Sequence, residues 1–239
     1  LVHDRSGWTA FGVVSMLLLL AAAMLPAVGS RPSSPRARCA NNLKQIALAL
    51  LQYEEQYGRL PPAVITDEQG RPMHSWRVLI LPYMEQGGLY EQYDLDEPWD
   101  GTNNRELHGT LVREFICPSD PRAGPGSTSY LAVAGPGTAW RENQGVALRS
   151  IKDNVSSTLT VVEVANSGVH WMEPRDLHVR QMAPGVNPAS GQGISSRHGS
   201  GANVAFVDGH VCFLADDTPA GDVRAMLTIV GGEDVVPGE

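Results

Sequence analysis

Clusters of positive charge are missing from this sequence. Its 239 residues include 18 Lys and Arg against 26 Asp and Glu, a formal net charge of −8, and the basic residues form no long run. Proteins that bind nucleic acid need clustered Lys and Arg to contact phosphates. The sequence therefore predicts no nucleic-acid partner.

Cysteine is also scarce, with three residues in the chain, which excludes a disulfide-dense mini-domain. Charged residues make up 18% and hydrophobic residues 42%, so the chain can bury a core and wholesale disorder is excluded. Gly and Pro are abundant, with 25 and 17 residues, and they favour short strands and many turns over a helical bundle. The length fits one globular domain with an appendage.

Charge is absent from residues 8–28, and this apolar segment is the appendage. A helix of that length rises about 30 Å, which is close to the hydrocarbon thickness of a bilayer. A buried core helix would show a polar face, so we expect either a membrane anchor or an export signal within residues 1–29. Ala27-Val28-Gly29 is an acceptable signal-peptidase site, so retention of the segment and cleavage after Gly29 both stay open.

The rest of the chain is predicted to be a linker, residues 30–35, and an α+β head, residues 36–239. Leu43, Ile46, Leu50 and Tyr53 recur at three- and four-residue spacing, which predicts a helix over residues 36–57 that ends at Gly58. We expect this helix to pack its apolar face on an antiparallel sheet.

Beyond residue 111, clusters of Gly, Pro and Asn separate the candidate strands, which is typical of β structure. Asp208-Gly209 lies between two alternating segments and predicts a hairpin with a type I′ turn. The run at residues 76–83 is apolar, and its pattern leaves a short helix and a strand open. The predicted strands are residues 129–134, 158–164, 202–207 and 210–214, and a last helix is predicted at residues 222–229.

Several blocks, in this order, carry a resemblance to a known family. They read C-A-N-N-L-K-Q-I from Cys39, S-W-R-V-L-I-L-P-Y-M-E-Q from Ser75, E-P-W-D from Glu97, F-I-C-P-S-D from Phe115, V-E-V from Val162, W-M-E-P-R-D from Trp171, and His198 followed, after nine intervening residues, by Asp208-Gly209. Over residues 38–230 the chain resembles a planctomycete-type family of unknown function, pseudopilin-like proteins with a prepilin-type N-terminus and a C-terminal H-x(9)-D-G motif.

The resemblance implies a pilin-like plan, in which an N-terminal hydrophobic helix carries an exported α+β head. It implies an inner-membrane anchor at residues 8–28 or export of the head, other pilin-like subunits as partners, and no known reaction. The residues that match the family's motifs are Trp99, Asp100, Glu173, Pro174, Arg175, Asp176, His198, Asp208 and Gly209.

The processing site departs from the family pattern. The family is cleaved after a Gly that corresponds to Gly7, and it has Glu at the fifth position of the mature chain, where this sequence has Gly12. A carboxylate in lipid-like surroundings needs a partner, which in filaments is expected to be the terminal amine of a neighbouring subunit. Its replacement by Gly12 speaks against standard filament assembly.

Two stretches contain candidate metal ligands. The first holds two His and two acids, but no zinc-type spacing, so a surface loop is the prediction there. The second is an oxygen-rich loop that offers weak calcium candidates, and the sequence predicts no cofactor other than this calcium. The first set is His170, Glu173, Asp176 and His178, and the second is Asp94, Asp96 and Asp100 with Asn103.

A hydrolase is disfavoured. Ser195, His198 and Asp208 make a triad on paper, but the sequence has no G-x-S-x-G elbow. A strand over residues 202–207 would span about 17–20 Å and hold His198 far from Asp208. We predict that the H-x(9)-D-G element is structural, that Arg197 and His198 hydrogen-bond the base of the hairpin, and that the chain is not an enzyme.

The cysteines and tryptophans complete the candidate residues. Cys39 and Cys117 are expected to form a disulfide outside the cytoplasm, and Cys212 is expected to be a buried thiol, although the sequence leaves connectivity open. Four of the five tryptophans form either a sugar-binding platform or core packing. They are Trp76, Trp99, Trp140 and Trp171.

Three functions compete. The first is a non-enzymatic, membrane-anchored pseudopilin-like protein of a secretion or surface-filament apparatus. The second is a tethered extracytoplasmic module that binds a glycan or another exported ligand. Gly12, in place of the usual Glu, favours this function over the first. The third is a hydrolase or metalloenzyme. Exposed tryptophans in a groove would favour binding, and a buried His/carboxylate cluster in a pocket would favour catalysis.

Overall fold

The computed structural model describes residues 34–231. The predicted anchor at residues 8–28, the candidate cleavage points at Gly7 and Gly29, and Gly12 lie outside these residues. Within the described range, no helix combines the length and the apolar character that crossing a bilayer requires.

The first described helix, α1, runs Pro35–Tyr57, as the periodicity predicts. Pro35 occupies the first turn, where its missing N–H costs nothing, and the Ser34 hydroxyl accepts a hydrogen bond from the Ala37 N–H at 3.2 Å. Gly58 ends the helix with φ 70°, a left-handed conformation that glycine adopts readily. One face of α1 is buried, including Cys39, Leu43, Ile46, Ala47 and Leu50.

A five-stranded sheet lies against α1. Its order is β7-β4-β5-β8-β9, and the neighbours are antiparallel except that edge strand β7 pairs in parallel with β4. The predicted antiparallel sheet is thus correct for four strands, and β7 makes the sheet mixed. The strands are β4 (Tyr130–Ala134), β5 (Leu159–Glu163), β7 (Leu177–His178), β8 (Gly201–Phe206) and β9 (Val211–Ala215).

The sheet is covered on both faces, because its side chains alternate between two buried clusters. One cluster joins Ala132, Val161 and Ala205 to α1, and the other joins residues of the opposite face to helix α4 (Ala220–Leu227). Since Val161 faces α1, Glu163 two residues later lies on the same side of β5. This alternation places a carboxylate beneath the helix.

The hairpin between β8 and β9 forms as predicted, but its turn differs. Gly209 has φ 86°, while Asp208 does not have positive φ, so the turn is not type I′. The Gly209 N–H donates to the Phe206 carbonyl and the Phe206 N–H donates to the His210 carbonyl. This pattern is a three-residue loop with Gly209 in the left-handed position, the next commonest hairpin connection.

The remaining elements are short. Residues 76–83, which the pattern left open, form helix α2 (Trp76–Leu79) and a 3₁₀ turn (Leu81–Tyr83). The others are β1 (Val64–Thr66), β2 (Pro72–Ser75), α3 (Gly87–Gln92), β3 (Ser127–Thr128) and β6 (Val169–His170), with 3₁₀ turns at Asn104–Leu107, Arg113–Phe115 and Leu148–Ser150.

Candidate functional site

Four side chains from distant parts of the chain meet beneath α1, and we call Cys39, Cys117, Glu163 and His198 the four-residue cluster. Their sulfur, nitrogen and oxygen atoms lie within 4.8 Å of one another. Cys39 is on α1, Cys117 follows the 3₁₀ turn Arg113–Phe115, Glu163 ends β5 and His198 precedes β8. The residues are 0%, 2%, 1% and 9% exposed, in that order, so the cluster is part of the core.

Cys39 and Cys117 are joined in a disulfide in the structure, with their Cα atoms 5.1 Å apart. That separation lies inside the range of about 4.4–6.8 Å that bridged cysteines usually show. Cys212 is the free cysteine and is half-buried. Burial raises the pKa of its thiol to about 11.

Glu163 is held by one of its carboxylate oxygens only. Oε2 accepts hydrogen bonds from the Asn203 backbone N–H at 3.1 Å and from Asn203 Nδ2 at 2.9 Å. Oε1 lies 3.0 Å from His198 Nε2, yet it makes no hydrogen bond of acceptable geometry with any described residue. Burial raises the pKa of the Glu163 carboxyl to about 7, against the opposing effect of the Asn203 hydrogen bonds.

His198 is turned towards the disulfide. Its Nε2 lies 3.6 Å from Cys117 Sγ, and burial, followed by the positive charge of Arg36, lowers the pKa of the imidazole. The prediction that His198 hydrogen-bonds the base of the hairpin is wrong, because its ring points into the core beneath α1. Sequence reasoning placed it in a loop but could not give the direction of the side chain.

The Ser195/His198/Asp208 triad, which the sequence disfavours, is not brought together, since its members have different partners. The Asp208 carboxylate accepts hydrogen bonds from the Ser156 hydroxyl at 2.7 Å and from the His210 N–H at 3.0 Å. The Ser195 hydroxyl donates to the Gly193 carbonyl at 3.2 Å.

Residues of the C-A-N-N-L-K-Q-I block fasten α1 to the head. Lys44 Nζ donates to the carbonyl of Gly209 at 2.7 Å, and Asn42 Nδ2 donates to the carbonyl of Ile116 at 2.8 Å. The hairpin turn of the H-x(9)-D-G motif therefore accepts a hydrogen bond from a side chain of α1. The motif's histidine and its turn contact the same helix at two separate places.

A second joint connects the S-W-R-V and W-M-E-P-R-D blocks. Arg77 and Asp176 form an ion pair at 2.5 Å between side chains that are 0% and 3% exposed. Asp176 also accepts hydrogen bonds from the Ala132 N–H at 2.7 Å and from Trp76 Nε1 at 3.0 Å. Neighbouring Glu173 and Arg175 form an ion pair nearer the surface, and Pro174 between them is half-buried. Asp176 is thus used to pair polar groups inside the core rather than to bind a metal.

Trp99 of the E-P-W-D block packs on two histidines. Its ring centroid lies 5.2 Å from that of His108 and 5.5 Å from that of His170. His170 Nδ1 accepts a hydrogen bond from the Met172 N–H at 3.1 Å, so this nitrogen serves a turn. Asp100 is exposed.

The metal sites considered from the sequence do not assemble. In the described part of the chain, the four-residue cluster is the one group of three or more His, Cys, Asp or Glu side chains close enough to share an ion. His170 and His178 do not join it. Asp94, Asp96 and Asp100 form no such group either, and Asp94 accepts hydrogen bonds from the Asp96 N–H at 2.8 Å and from Asn103.

The four tryptophans of the described residues do not form a sugar-binding platform. Trp76, Trp140 and Trp171 are fully buried, and Trp99 is half-buried. A separate open pocket of about 340 Å³ lies beside β7, and its lining includes Arg175, His178 and Gln181.

Glu163 is the site residue that sequence reasoning missed. Its signal was present in the run L-T-V-V-E-V, where one acid stands in an otherwise apolar segment predicted as a strand. A charged residue in such a buried strand needs a partner. The sequence does not reveal which partner, because the other three residues of the cluster come from separate parts of the chain.

Comparison with known proteins gives a family. A family model described as "Protein of unknown function (DUF1559)" matches residues 30–145 and 137–221. No curated protein and no solved structure matches the chain.

Proposed function

The chain belongs to DUF1559, a family of proteins of unknown function, and we propose that it is a non-enzymatic, membrane-anchored pseudopilin-like protein of a secretion or surface-filament apparatus. Residues 8–28 hold it in the membrane, and the α+β head works outside the cytoplasm. The resemblance to this planctomycete-type family is confirmed, while the anchor and the role are the proposal.

The observation that carries the proposal is the way in which α1 is fastened to the head. The helix begins at Pro35, the last residue of the linker predicted between the anchor and the head. Its first turns are tied to the head by the Cys39–Cys117 disulfide and by the Asn42 and Lys44 hydrogen bonds. Disulfides persist in oxidising compartments, so a bridge at this position suits a head that is exported while its N-terminus stays in the membrane.

Membrane fractionation with protease treatment of spheroplasts tests the proposal. We expect the full chain to stay with the membrane under alkaline extraction and the head to be digested from outside. The variant Leu18→Arg/Leu20→Arg should release the chain, because each charge at the centre of a span costs about 2.5–3.5 kcal/mol on the insertion scale. Leu48→Arg, at an exposed position of α1, is the matched control and should leave the chain in the membrane. A wild-type head that is protected from protease inside intact spheroplasts would contradict the proposal.

The second candidate is an extracytoplasmic ligand-binding module, and the pocket beside β7 favours it. The pocket offers Arg175, His178 and Gln181, which suit a polar ligand such as a glycan. This candidate predicts that one of a panel of surface oligosaccharides raises the melting temperature of the wild type but not that of Gln181→Ala. If none does, the pocket gives the candidate no support.

A further inference from the structure

We propose that the four-residue cluster is a binding site for a divalent cation of the zinc class in the reduced chain, and that the Cys39–Cys117 disulfide is its oxidised, metal-free state. This site is independent of whether residues 8–28 anchor the chain.

The donor set is the first reason. Two thiolates, one imidazole and one carboxylate are ligand types that tetrahedral zinc accepts, whereas calcium and magnesium prefer oxygen alone. The four donors come from α1, the segment after the 3₁₀ turn Arg113–Phe115, β5 and the loop before β8. An ion bound by all four would hold the helix on the sheet, as structural zinc sites hold small folds together.

The distances are the second reason. Ligands at about 2.0–2.3 Å from a tetrahedral zinc ion lie about 3.3–3.8 Å from one another. His198 Nε2 is already 3.0 Å from Glu163 Oε1 and 3.6 Å from Cys117 Sγ, and all four donor atoms fall within 4.8 Å. Once the sulfur–sulfur bond is broken, the thiolates need to separate by less than about 2 Å to take zinc-like positions.

The state of Glu163 is the third and independent reason. Its Oε1 is buried, is aimed at His198 and has no hydrogen-bond partner among the described residues. An unsatisfied buried acceptor is costly, and a cation at this point would satisfy it. Asn203 already orients the carboxylate through Oε2, which is what outer-shell residues do for metal ligands.

The disulfide and the ion exclude each other, and the conversion between them balances. A dithiol reductant breaks the Sγ–Sγ bond, gives two electrons and two protons to Cys39 and Cys117, and becomes a disulfide itself. The cation then displaces the two thiol protons and binds the thiolates. Oxidation by a partner disulfide reverses both steps and releases the cation.

Anaerobic titration with Co²⁺ tests the site. The full chain, purified in detergent, is reduced with a phosphine that is then removed, and Co²⁺ is added as the probe. We expect one Co²⁺ per chain, with the thiolate charge-transfer and visible bands of a tetrahedral thiolate site, and loss of these bands on addition of Zn²⁺. The oxidised chain should show none of them.

Variants separate this site from adventitious binding. Glu163→Gln and His198→Gln should each lower the Co²⁺ affinity more than about 100-fold, and Asn203→Ala, which removes no ligand, should lower it about 10–100-fold. Cys212→Ser removes the remaining thiol and should change nothing. If a ligand variant does not fold, Asn203→Ala alone decides the comparison with Cys212→Ser.

The proposal is overturned if the reduced wild type gives no thiolate bands, or if Cys212→Ser abolishes them. It is also overturned if folded Glu163→Gln or His198→Gln, or failing these Asn203→Ala, binds as the wild type does. None of these outcomes bears on membrane anchoring, so failure here is distinguishable from failure of the proposed function.

Discussion

The candidate residues of this protein mostly connect elements that are distant in sequence through side-chain contacts. Arg77 on α2 reaches Asp176 just before β7, and Lys44 on α1 reaches the carbonyl of Gly209 in the hairpin. The motif residues that the sequence singled out as candidate ligands are explained in large part by such contacts. These contacts give the buried polar side chains hydrogen-bond or ion-pair partners within the core.

The Arg77–Asp176 pair gives the first prediction. Asp176→Ala should lower the free energy of unfolding by about 3–5 kcal/mol, because it leaves the buried Arg77 guanidinium without its counter-charge. Arg175→Ala is the control, since the Arg175 side chain is 51% exposed and its pair with Glu173 should contribute less than about 1 kcal/mol. Urea denaturation measures both variants, and equal losses would contradict the assigned role of Asp176.

Cys212 gives a prediction about reactivity. Because burial raises the pKa of its thiol to about 11, few native molecules carry the reactive thiolate at neutral pH. Iodoacetamide should therefore label Cys212 far more slowly in the native, oxidised chain than in the chain unfolded by urea. The native rate should increase as the pH is raised. Equal rates in the two states at neutral pH would refute this.

His74 gives a prediction about pH. Its Nε2 lies 3.0 Å from the carbonyl oxygen of Leu95, and its Nδ1 lies 2.9 Å from the hydroxyl of Tyr93, which fits a neutral ring. Burial lowers the pKa of His74 in the folded state, partly offset by the Leu95 hydrogen bond. The unfolded chain, with an ordinary pKa near 6.5, therefore takes up the proton first, and stability is lost as the pH falls through that value.

The variant His74→Gln isolates this effect. Its free energy of unfolding should fall less steeply than that of the wild type between pH 7.5 and 5, by up to about 1.4 kcal/mol per pH unit. Denaturant titrations at several pH values measure the two slopes. Parallel slopes would mean that His74 titrates alike in the folded and unfolded chains.

At the scale of elements, α1 on the mixed sheet organises the head. The buried face of the helix packs against the alternate residues of β5 and β8 that point towards it, including Val161 and Ala205. Small residues at the contact let the helix approach the sheet closely. Cys39 is the first buried residue on this face of α1. The disulfide therefore extends the contact between helix and head towards the start of the helix.

Leu50 tests this packing. Leu50→Asp should lower the free energy of unfolding by more than about 3 kcal/mol, because the residue is 2% exposed and the carboxylate would have no partner. Leu48→Asp makes the same change two residues earlier, where the side chain is 44% exposed, and should stay within about 0.5 kcal/mol. Similar melting of the two variants would show that this face of α1 does not carry the core.

Sequence reasoning succeeded where the signal was local. The helix Pro35–Tyr57 has a three- and four-residue periodicity and a Gly58 cap, and the strands around Asp208-Gly209 alternate clearly. It failed for the turn type, because Asp-Gly suits several turns and the strand register selects among them. It missed β7, since a two-residue strand has no period to read.

The site was less predictable than the fold. Cys39, Cys117 and His198 were each singled out, but for separate reasons, and Glu163 was read as part of a strand and of the V-E-V block, with no role of its own. The four meet because the start of α1 lies beside the end of β5, and no spacing in the sequence encodes that contact. The buried His/carboxylate cluster is thus a property of tertiary structure.

At the scale of the whole molecule, a disulfide holds the rest of the head to α1, the first helix of the described residues. The disulfide joins residues separated by 78 positions, and closing such a loop contributes about 4.5 kcal/mol in the chain-entropy account. The bridge therefore both stabilises the head and ties α1 to the segment that contains Cys117. The same two sulfurs become metal ligands when the bridge is reduced.

Intact mass spectrometry of the chain from native membranes tests the central claim, an anchored head in an oxidising compartment. The sample is unfolded and alkylated without reduction before the mass is measured. We expect a mass that still includes residues 8–28. We also expect a single alkyl group, on Cys212, because Cys39 and Cys117 are joined in the disulfide. A chain that begins after Gly29, or one that carries three alkyl groups, would contradict the claim.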